Sequence, residues 1–368
     1  MARDRHSVHE PLMHISKRED CGLLRAIAVR LVAIALALLV CAGVIFALTG
    51  LNPIQVYAGI IDGAVGSNRR LWVTIRDALA LLLVAVAITP AFKMRFWNVG
   101  GEGQVLIGAT ATAAVMIYLG CSLPGWLLLL VMALAAIVAG VIWGVIPALF
   151  KAGWNTNETL FTLMMNYVAT QIVAFCIVFW ENPAGSNSVG LINSEDKAGW
   201  LPKLFGLTYG WNLVLVVAIT AFIYIYLRYS KHGYEIAYVG SSVNTARYAG
   251  INVKNVIVRT MAISGGLCGL AGFMLVSGAG HTISTSLAGG RGFTAIVVAW
   301  LSKLNTFTMM AVSFLLVFME KGAIQIASQF NLNENASEII TGIILFFVLG
   351  CEFFINYKVE FRHHRGEE

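Results

Sequence analysis

Long apolar runs without charge are the feature that most constrains this chain. The runs 31–48, 127–149 and 213–227 contain no charged residue, and a helix of ~17–25 residues crosses about 30 Å of hydrocarbon. Only 12% of the 368 residues are charged, against about 25% in a soluble domain. This composition excludes a soluble enzyme, and the length of the runs excludes an outer-membrane barrel, whose strands alternate over ~10 residues. We therefore expect the all-α class, in a polytopic membrane protein.

The apolar runs predict about ten transmembrane helices, with boundaries placed to within ~2–4 residues. The eighth and ninth are short, so half-helices or a re-entrant pair are alternatives that reduce the count to eight or nine. The predicted helices lie at about 30–50, 72–91, 103–119, 125–148, 159–180, 211–229, 257–277, 291–301, 306–319 and 338–355.

The basic residues predict the orientation in the membrane. Placing both termini in the cytoplasm puts most of the 25 Lys and Arg residues on the inner side, as the positive-inside rule requires. The net charge of +6 is explained by this bias, so we do not expect a nucleic-acid partner. The predicted domains are a cytoplasmic leader at 1–29, a transmembrane domain at 30–355 and a cytoplasmic tail at 356–368.

A weak internal repeat relates two halves of the chain, at about 72–180 and 257–355. The stretch Gly100-Gly101-Glu102-Gly103 aligns with Gly289-Gly290-Arg291-Gly292, and each opens a membrane helix, the third and the eighth. An Asn three residues before a Glu likewise opens the fifth and the tenth helix. A five-helix offset reverses the direction of travel, which predicts an inverted repeat of the kind that builds many transporters.

Polar residues inside apolar segments are costly in hydrocarbon and therefore indicate a cavity or a helix interface. The fifth helix is the richest in them. Thr162, Asn166 and Thr170 share one stripe, and Tyr167 and Gln171 lie beside it. We expect a water-filled pathway along this face; hydrogen bonding between helices is the alternative.

The glycine-rich stretch Gly100–Gly103 is not a nucleotide-binding loop, because the chain contains no GxxxxGK[ST] motif. We interpret it as the start of a broken helix whose free backbone N–H groups line a cavity. Together with Asn98, Glu102 and Gln104, these groups are candidates to bind a polar solute. Close helix packing through glycine is the alternative interpretation.

The longest internal cytoplasmic segment, about 230–256, is the place where a soluble partner can dock. Within it, Ser242 to Gly250 has a serine cap, about two turns of helix and a terminating glycine. A helix this short is marginal in water, so it needs a protein surface to hold it. That surface belongs either to a partner or to the chain's own bundle.

The sequence contains no set of residues typical of an enzyme. The six cysteines are single and form no CxxC pair, and neither HExxH nor a serine elbow occurs. We therefore expect no enzymatic activity, no metal site and no cofactor in this chain.

Five motifs, in order, give the chain a resemblance to a known family. The sequence resembles the permease subunits of bacterial ABC importers of the branched-chain amino acid and ribose type, over about residues 30–355. Within that family it is most similar to the branch that works with basic-membrane-protein-like binding proteins. The motifs are Phe96 to Gln104, Asn157 to Tyr167, Ala246 to Asn252, Ser264 to Gly272 and Gly292 to Ile296.

The resemblance implies a permease subunit of an importer in the bacterial plasma (inner) membrane. Its implied partners are a cytoplasmic ABC ATPase, a second permease subunit of a different chain, and an extracytoplasmic solute-binding lipoprotein. ATP hydrolysis then belongs to the ATPase subunit. The solutes of this branch are chiefly nucleosides, with riboflavin and simple sugars in relatives.

The resemblance also assigns roles to residues of this chain. It implies that the Ser242–Gly250 helix couples to the ATPase, although Ser242-Val243 stands where the family often has Asn-Pro, which presets the first helical turn. The predicted coupling residues are Ser242, Asn244, Thr245, Ala246, Arg247, Tyr248 and Gly250. The predicted pathway residues are Asn98, Glu102, Gln104, Thr162, Asn166, Tyr167, Thr170, Phe293 and Thr294.

Two other functions remain open at this point. An ion-coupled secondary transporter built on the same inverted repeat differs from the importer in transporting without an ATPase. An intramembrane enzyme is disfavoured because the catalytic set is absent. Within the importer hypothesis, riboflavin and simple sugars are the alternative solutes.

Overall fold

The computed structural model describes residues 52–204 and 206–330, two strands near the termini, and scattered residues within 28–50 and 339–350. The chain divides into two compact units. The larger unit is Ser67–Phe318, and the smaller one combines Met1–Gly66 with Met319–Glu368. Each unit is described by itself.

The described residues form mostly helices. In chain order the elements are β1 (Met13–Lys17), α1 (Pro53–Val65), α2 (Asn68–Lys93), α3 (Gly101–Leu119), α4 (Gly125–Trp154), α5 (Glu158–Trp180), α6 (Gly210–Tyr229), α7 (Lys231–Ser241), α8 (Val243–Tyr248), α9 (Val253–Leu275), a π-helical turn (Val276–Gly280), α10 (Arg291–Leu301), α11 (Thr306–Gln329) and β2 (Tyr357–Phe361).

Seven helices in the described part of the chain are long and apolar enough to cross a membrane: α2, α3, α4, α5, α6, α9 with its π-helical turn, and α11. Each corresponds to a predicted helix, and α10 corresponds to the short predicted helix at 291–301. Within the predicted helix at 30–50, the described residues between Val32 and Ala47 are helical, whereas the predicted helix at 338–355 falls mainly outside the described residues. The total number of spans therefore stays a prediction.

The smaller unit contains two features that the sequence analysis did not predict. Helix α1 begins after Asn52, whose side chain accepts a hydrogen bond from the Ile54 N–H, and at 13 residues it is too short to stand out as a span. Strands β1 and β2 pair antiparallel, with Ile15 opposite Val359. The all-α class therefore holds for the apolar helices, and the two segments predicted as simple tails contain this strand pair.

The core of the larger unit is built around α2 and α9. In their most apolar windows 72% and 78% of residues are buried, against 22% and 28% in α4 and α5. An apolar helix of a membrane protein is covered either by other helices or by lipid. Helices α4 and α5 therefore keep most of their surface on the outside of this chain.

Glycines allow α9 to contact α3 and α4 at the level of the backbone. A Cβ atom added at Gly140 of α4 would overlap the carbonyl oxygen of Gly265, and one added at Gly108 of α3 would overlap the backbone of Gly269. Such close packing replaces the hydrophobic effect as a source of association, because lipid is as apolar as the helix surface. The glycines therefore fix the distance between these three helices.

We predict that Gly140→Ala destabilises the bundle by about 1–3 kcal/mol, the usual penalty for overfilling a packed site. Gly153→Ala on the same helix is the matched control, because no atom lies within 4 Å of the added Cβ. Thermal unfolding of the two purified variants in detergent is the measurement. Equal melting temperatures for both would contradict this account of the packing.

Candidate functional site

The loop between α2 and α3 is partly buried in the helix bundle: Phe96 and Asn98 are buried, whereas Arg95 and Trp97 are exposed. Asn98 is completely buried, and its Nδ2 donates to the Ser264 Oγ at 3.1 Å and to the Gln104 Oε1 at 3.3 Å. Its Oδ1 accepts from the Gly100 N–H at 3.1 Å and from the Gln104 Nε2 at 3.2 Å. Since Ser264 is about halfway along α9, α3 starts deep in the bundle.

The inner face of α5 holds the start of α3. Gly100 precedes α3 and has no side chain to cap it. The Asn166 Oδ1 accepts from the Gly103 N–H at 2.8 Å, and its Nδ2 donates to the Val99 carbonyl at 3.0 Å. The Thr162 hydroxyl accepts from the Val99 N–H at 3.2 Å. Helix α3 thus takes its N-terminal cap from another helix, where a side chain next to it in sequence is the usual source.

The outer face of α5 is also polar. Tyr167 is 64% exposed, Gln171 is exposed, and Thr170 is half-exposed and donates to the Asn166 carbonyl at 3.0 Å. An amide side chain that faces lipid is costly. The predicted polar stripe therefore has two parts. Thr162 and Asn166 hydrogen-bond to the start of α3, whereas Tyr167 and Gln171 face away from the chain.

A second helix, α10, begins against the first turn of α3. The Glu102 Oε1 accepts from the Gly290 N–H at 2.8 Å, and its Oε2 accepts from the Gly292 N–H at 2.7 Å. The next two residues, Phe293 and Thr294, were predicted to line the pathway. Phe293 is 44% exposed, and Thr294 is half-exposed and donates to the Gly290 carbonyl at 3.2 Å.

A charged group beside this junction was missed by the sequence analysis. Asp77 of α2 is only 3% exposed and lies 2.8 Å from the Arg76 guanidinium and 3.6 Å from that of Arg291. The signal available in the sequence was a single acid inside the apolar run of α2. A buried charge that pairs with another charge inside a membrane protein indicates a functional region.

The short segment Val243–Tyr248 forms the predicted helix, α8. The Ser242 Oγ accepts from the Thr245 N–H at 3.2 Å, and Gly250 follows with φ of +78°. Ala246 is buried against the bundle, whereas Asn244, Thr245 and Arg247 are exposed and Tyr248 is 92% exposed. The serine cap and the glycine end are confirmed, and the two largest side chains of α8 face outward.

Helix α7, which was not predicted as a separate element, supports α8. Its Glu235 forms an ion pair of 2.7 Å with Arg259 of α9. The hydrogen bond from Arg259 lowers the pKa of Glu235, so this carboxylate is charged at neutral pH. Ser242 ends α7 and caps α8, so the ion pair also restrains the position of α8.

A protein-family model matches most of this chain. The model described as the permease component of the branched-chain amino acid transport system matches residues 72–349. The match begins in α2 and extends beyond α11, so it contains the Glu102 junction and the α7–α8 segment.

Three curated relatives each align with 88% of this chain. The glucose ABC transporter permease protein of Haloferax volcanii is 29% identical over 337 residues and 87% of its length. The guanosine ABC transporter permease protein of Bacillus subtilis is 29% identical over 340 residues and 93% of its length. The nucleoside ABC transporter permease protein of Lactococcus lactis is 26% identical over 336 residues and 91% of its length.

We predict that Asn166→Leu destabilises the start of α3, because it leaves the Gly103 N–H and the Val99 carbonyl without partners. Each buried group left unpaired costs about 1–3 kcal/mol, so the melting temperature should fall and exchange of the Gly103 amide should accelerate. Gln171→Leu, the same chemical change on the outer face of α5, should change neither quantity. An equal effect of both variants would contradict the division into two faces.

Proposed function

The chain belongs to the family of permease components of branched-chain amino acid transport systems, and from that premise we propose that it is the permease subunit of an ABC importer for nucleosides. The solute passes from an extracytoplasmic binding lipoprotein through the membrane to the cytoplasm, and a partner ATPase hydrolyses the ATP. The observation that carries the proposal is the similarity along almost the whole chain to permeases named for guanosine and for nucleosides.

The glucose permease among the relatives keeps simple sugars as the alternative solute class, and riboflavin is a further one. Sugars and nucleosides share a neutral ring with several hydroxyl groups. Selection between them depends partly on the binding protein that delivers the solute. The nucleoside assignment is favoured because two of the three relatives described above are named for it.

The pathway, in this proposal, follows the outer face of α5 and is completed by the second permease subunit. Tyr167 and Gln171 supply hydrogen-bonding groups on this face, and Thr170 lies at its edge. Beside them, Leu160, Met164 and neighbouring apolar side chains line a groove of about 420 Å³, which suits the flat face of a nucleobase. The inner residues Asn98, Gln104, Thr162 and Asn166 shape the pathway through their hydrogen bonds within the chain.

The transmembrane architecture that we propose is ten helices in an inverted repeat with both termini in the cytoplasm. The pairing of β1 with β2 supports an even number of crossings, because two paired strands lie on the same side of a membrane. Helices α3 and α10 support the repeat: both begin at the matching glycine-rich stretches, and then α3 runs along α9 whereas α10 runs along α2.

We propose that α8 docks on the ATPase. Arg and Tyr are enriched among the anchors of protein interfaces, and Arg247 and Tyr248 are exposed while Ala246 fixes the helix to the bundle. Arg247 pairs with an acidic group of the ATPase, and Tyr248 fills an apolar pocket on its surface.

The test of the function is uptake by the reconstituted complex of this chain with its second permease, the ATPase and the binding protein. We expect labelled nucleoside to enter proteoliposomes only when ATP can be hydrolysed. Uptake that persists without the ATPase and follows an ion gradient would replace the importer by a secondary transporter. ATP-dependent uptake of riboflavin or sugar without nucleoside would change the solute class.

We predict that replacing both Arg247 and Tyr248 by Ala weakens association with the ATPase by about 2 kcal/mol or more, a loss of about 30-fold in affinity. Folding should be unchanged, because both side chains lie outside the bundle. The measurements are copurification of the ATPase and solute-stimulated ATP hydrolysis in membranes, with Lys254→Ala, a nearby exposed cation, as the control. Wild-type values for the double variant would remove α8 from the coupling role.

A further inference from the structure

The start of α10 has no cap of its own. The first N–H groups of a helix have no partner within the helix, and Gly290, which precedes α10, has no side chain to supply one. Glu102 of α3 accepts from two of these groups, one with each carboxylate oxygen. Since an N–H without a partner is costly inside a membrane bundle, the position of this helix start depends on Glu102.

The starts of α3 and α10 are in close contact. A Cβ atom added at Gly292 would overlap the backbone of Glu102, so α3 and α10 meet backbone to backbone. Gly289 and Gly290 have φ of +59° and +73°, which other residues rarely adopt. The turn into α10 therefore brings its N–H groups directly onto the Glu102 carboxylate.

A carboxylate is better suited to this junction than an amide. It presents two acceptor oxygens to two N–H donors, and such charge-assisted hydrogen bonds are stronger than neutral ones. Glu102 also lies in the first turn of α3, so its negative charge stands at the positive ends of two helix dipoles. A glutamine would keep the length but would direct an N–H₂ group at one of the donors.

The first turn of α3 contacts both α5 and α10. Asn166 of α5 holds the first turn of α3 through the Gly103 N–H at 2.8 Å, and Glu102 holds the first turn of α10. At the far end of α10, Trp300 stacks on Trp97 with ring centroids 5.5 Å apart. Asn166 and Glu102 therefore connect α5 to α10 through the start of α3.

We propose that Glu102 is a positioning residue that ties the start of α10 to α3 and α5 in the resting state, and that its two hydrogen bonds open when α5 moves in the transport cycle. The inference rests on the proposed importer function. Glu102 acts through the backbone of α10 and does not contact ATP. Its loss is therefore expected to uncouple ATP hydrolysis from transport, which is a different outcome from loss of assembly.

The test compares E102Q with E102D in the complete reconstituted complex. We expect E102Q to assemble, while uridine uptake and the ratio of ATP hydrolysis with uridine to hydrolysis without it fall about tenfold or more, in line with the loss of a charged hydrogen-bonding partner. E102D keeps the charge on a shorter side chain and should recover part of the uptake. E158Q is the matched control, because Glu158 also lies in the first turn of a helix but pairs with Lys151 at 2.8 Å.

A second measurement needs no variant. Hydrogen exchange of the wild-type complex should show protected amides at Gly290 and Gly292 in the resting state and faster exchange when the nucleotide-bound state is trapped. Equal protection in both states overturns the proposal, as does normal coupling in E102Q. If E102Q fails to assemble, the hydrogen-exchange data of the wild-type complex test the proposal by themselves. Absence of uridine uptake by the wild-type complex would instead refute the proposed function.

Discussion

A backbone N–H group inside a membrane-spanning bundle must find its acceptor within the protein, because lipid offers none. Helices α3 and α10 both begin inside the bundle after a glycine, and neither has a side-chain cap of its own. Asn166 and Glu102 supply the missing acceptors from other helices. The positions of α5, α3 and α10 therefore depend on one another through these two side chains.

The glycine contacts of α9 make this arrangement possible. Because Gly108 and Gly269 let α3 and α9 approach at backbone distance, the loop before α3 comes close enough for Asn98 to reach Ser264. Larger side chains at these positions would separate the helices and break the polar contacts. The close packing and the buried hydrogen bonds therefore support each other.

The sequence predicts features that depend on neighbouring residues. Hydropathy and length placed the seven long helices, and the serine and glycine at the ends of α8 predicted its boundaries. Periodicity also placed Thr162 and Asn166 on one polar stripe. Their partners lie more than 60 residues away in the chain, and no local pattern reports contacts over that separation. For the same reason the sequence analysis did not bring Asp77 together with Arg291.

The two glycine-rich stretches differ at the position where their helices meet, and this difference has a physical reason. Glu102 reaches the start of α10, whereas Arg291 at the matching position lies 3.6 Å from Asp77 and donates to the Ala288 carbonyl at 3.3 Å. A glutamate at position 291 would place another negative charge close to Asp77, and like charges repel strongly where water is excluded. An acid in one stretch and a base in the other therefore allow two helix starts to share a buried site, with Glu102 as the cap and Arg291 as a second cation, after Arg76, beside Asp77.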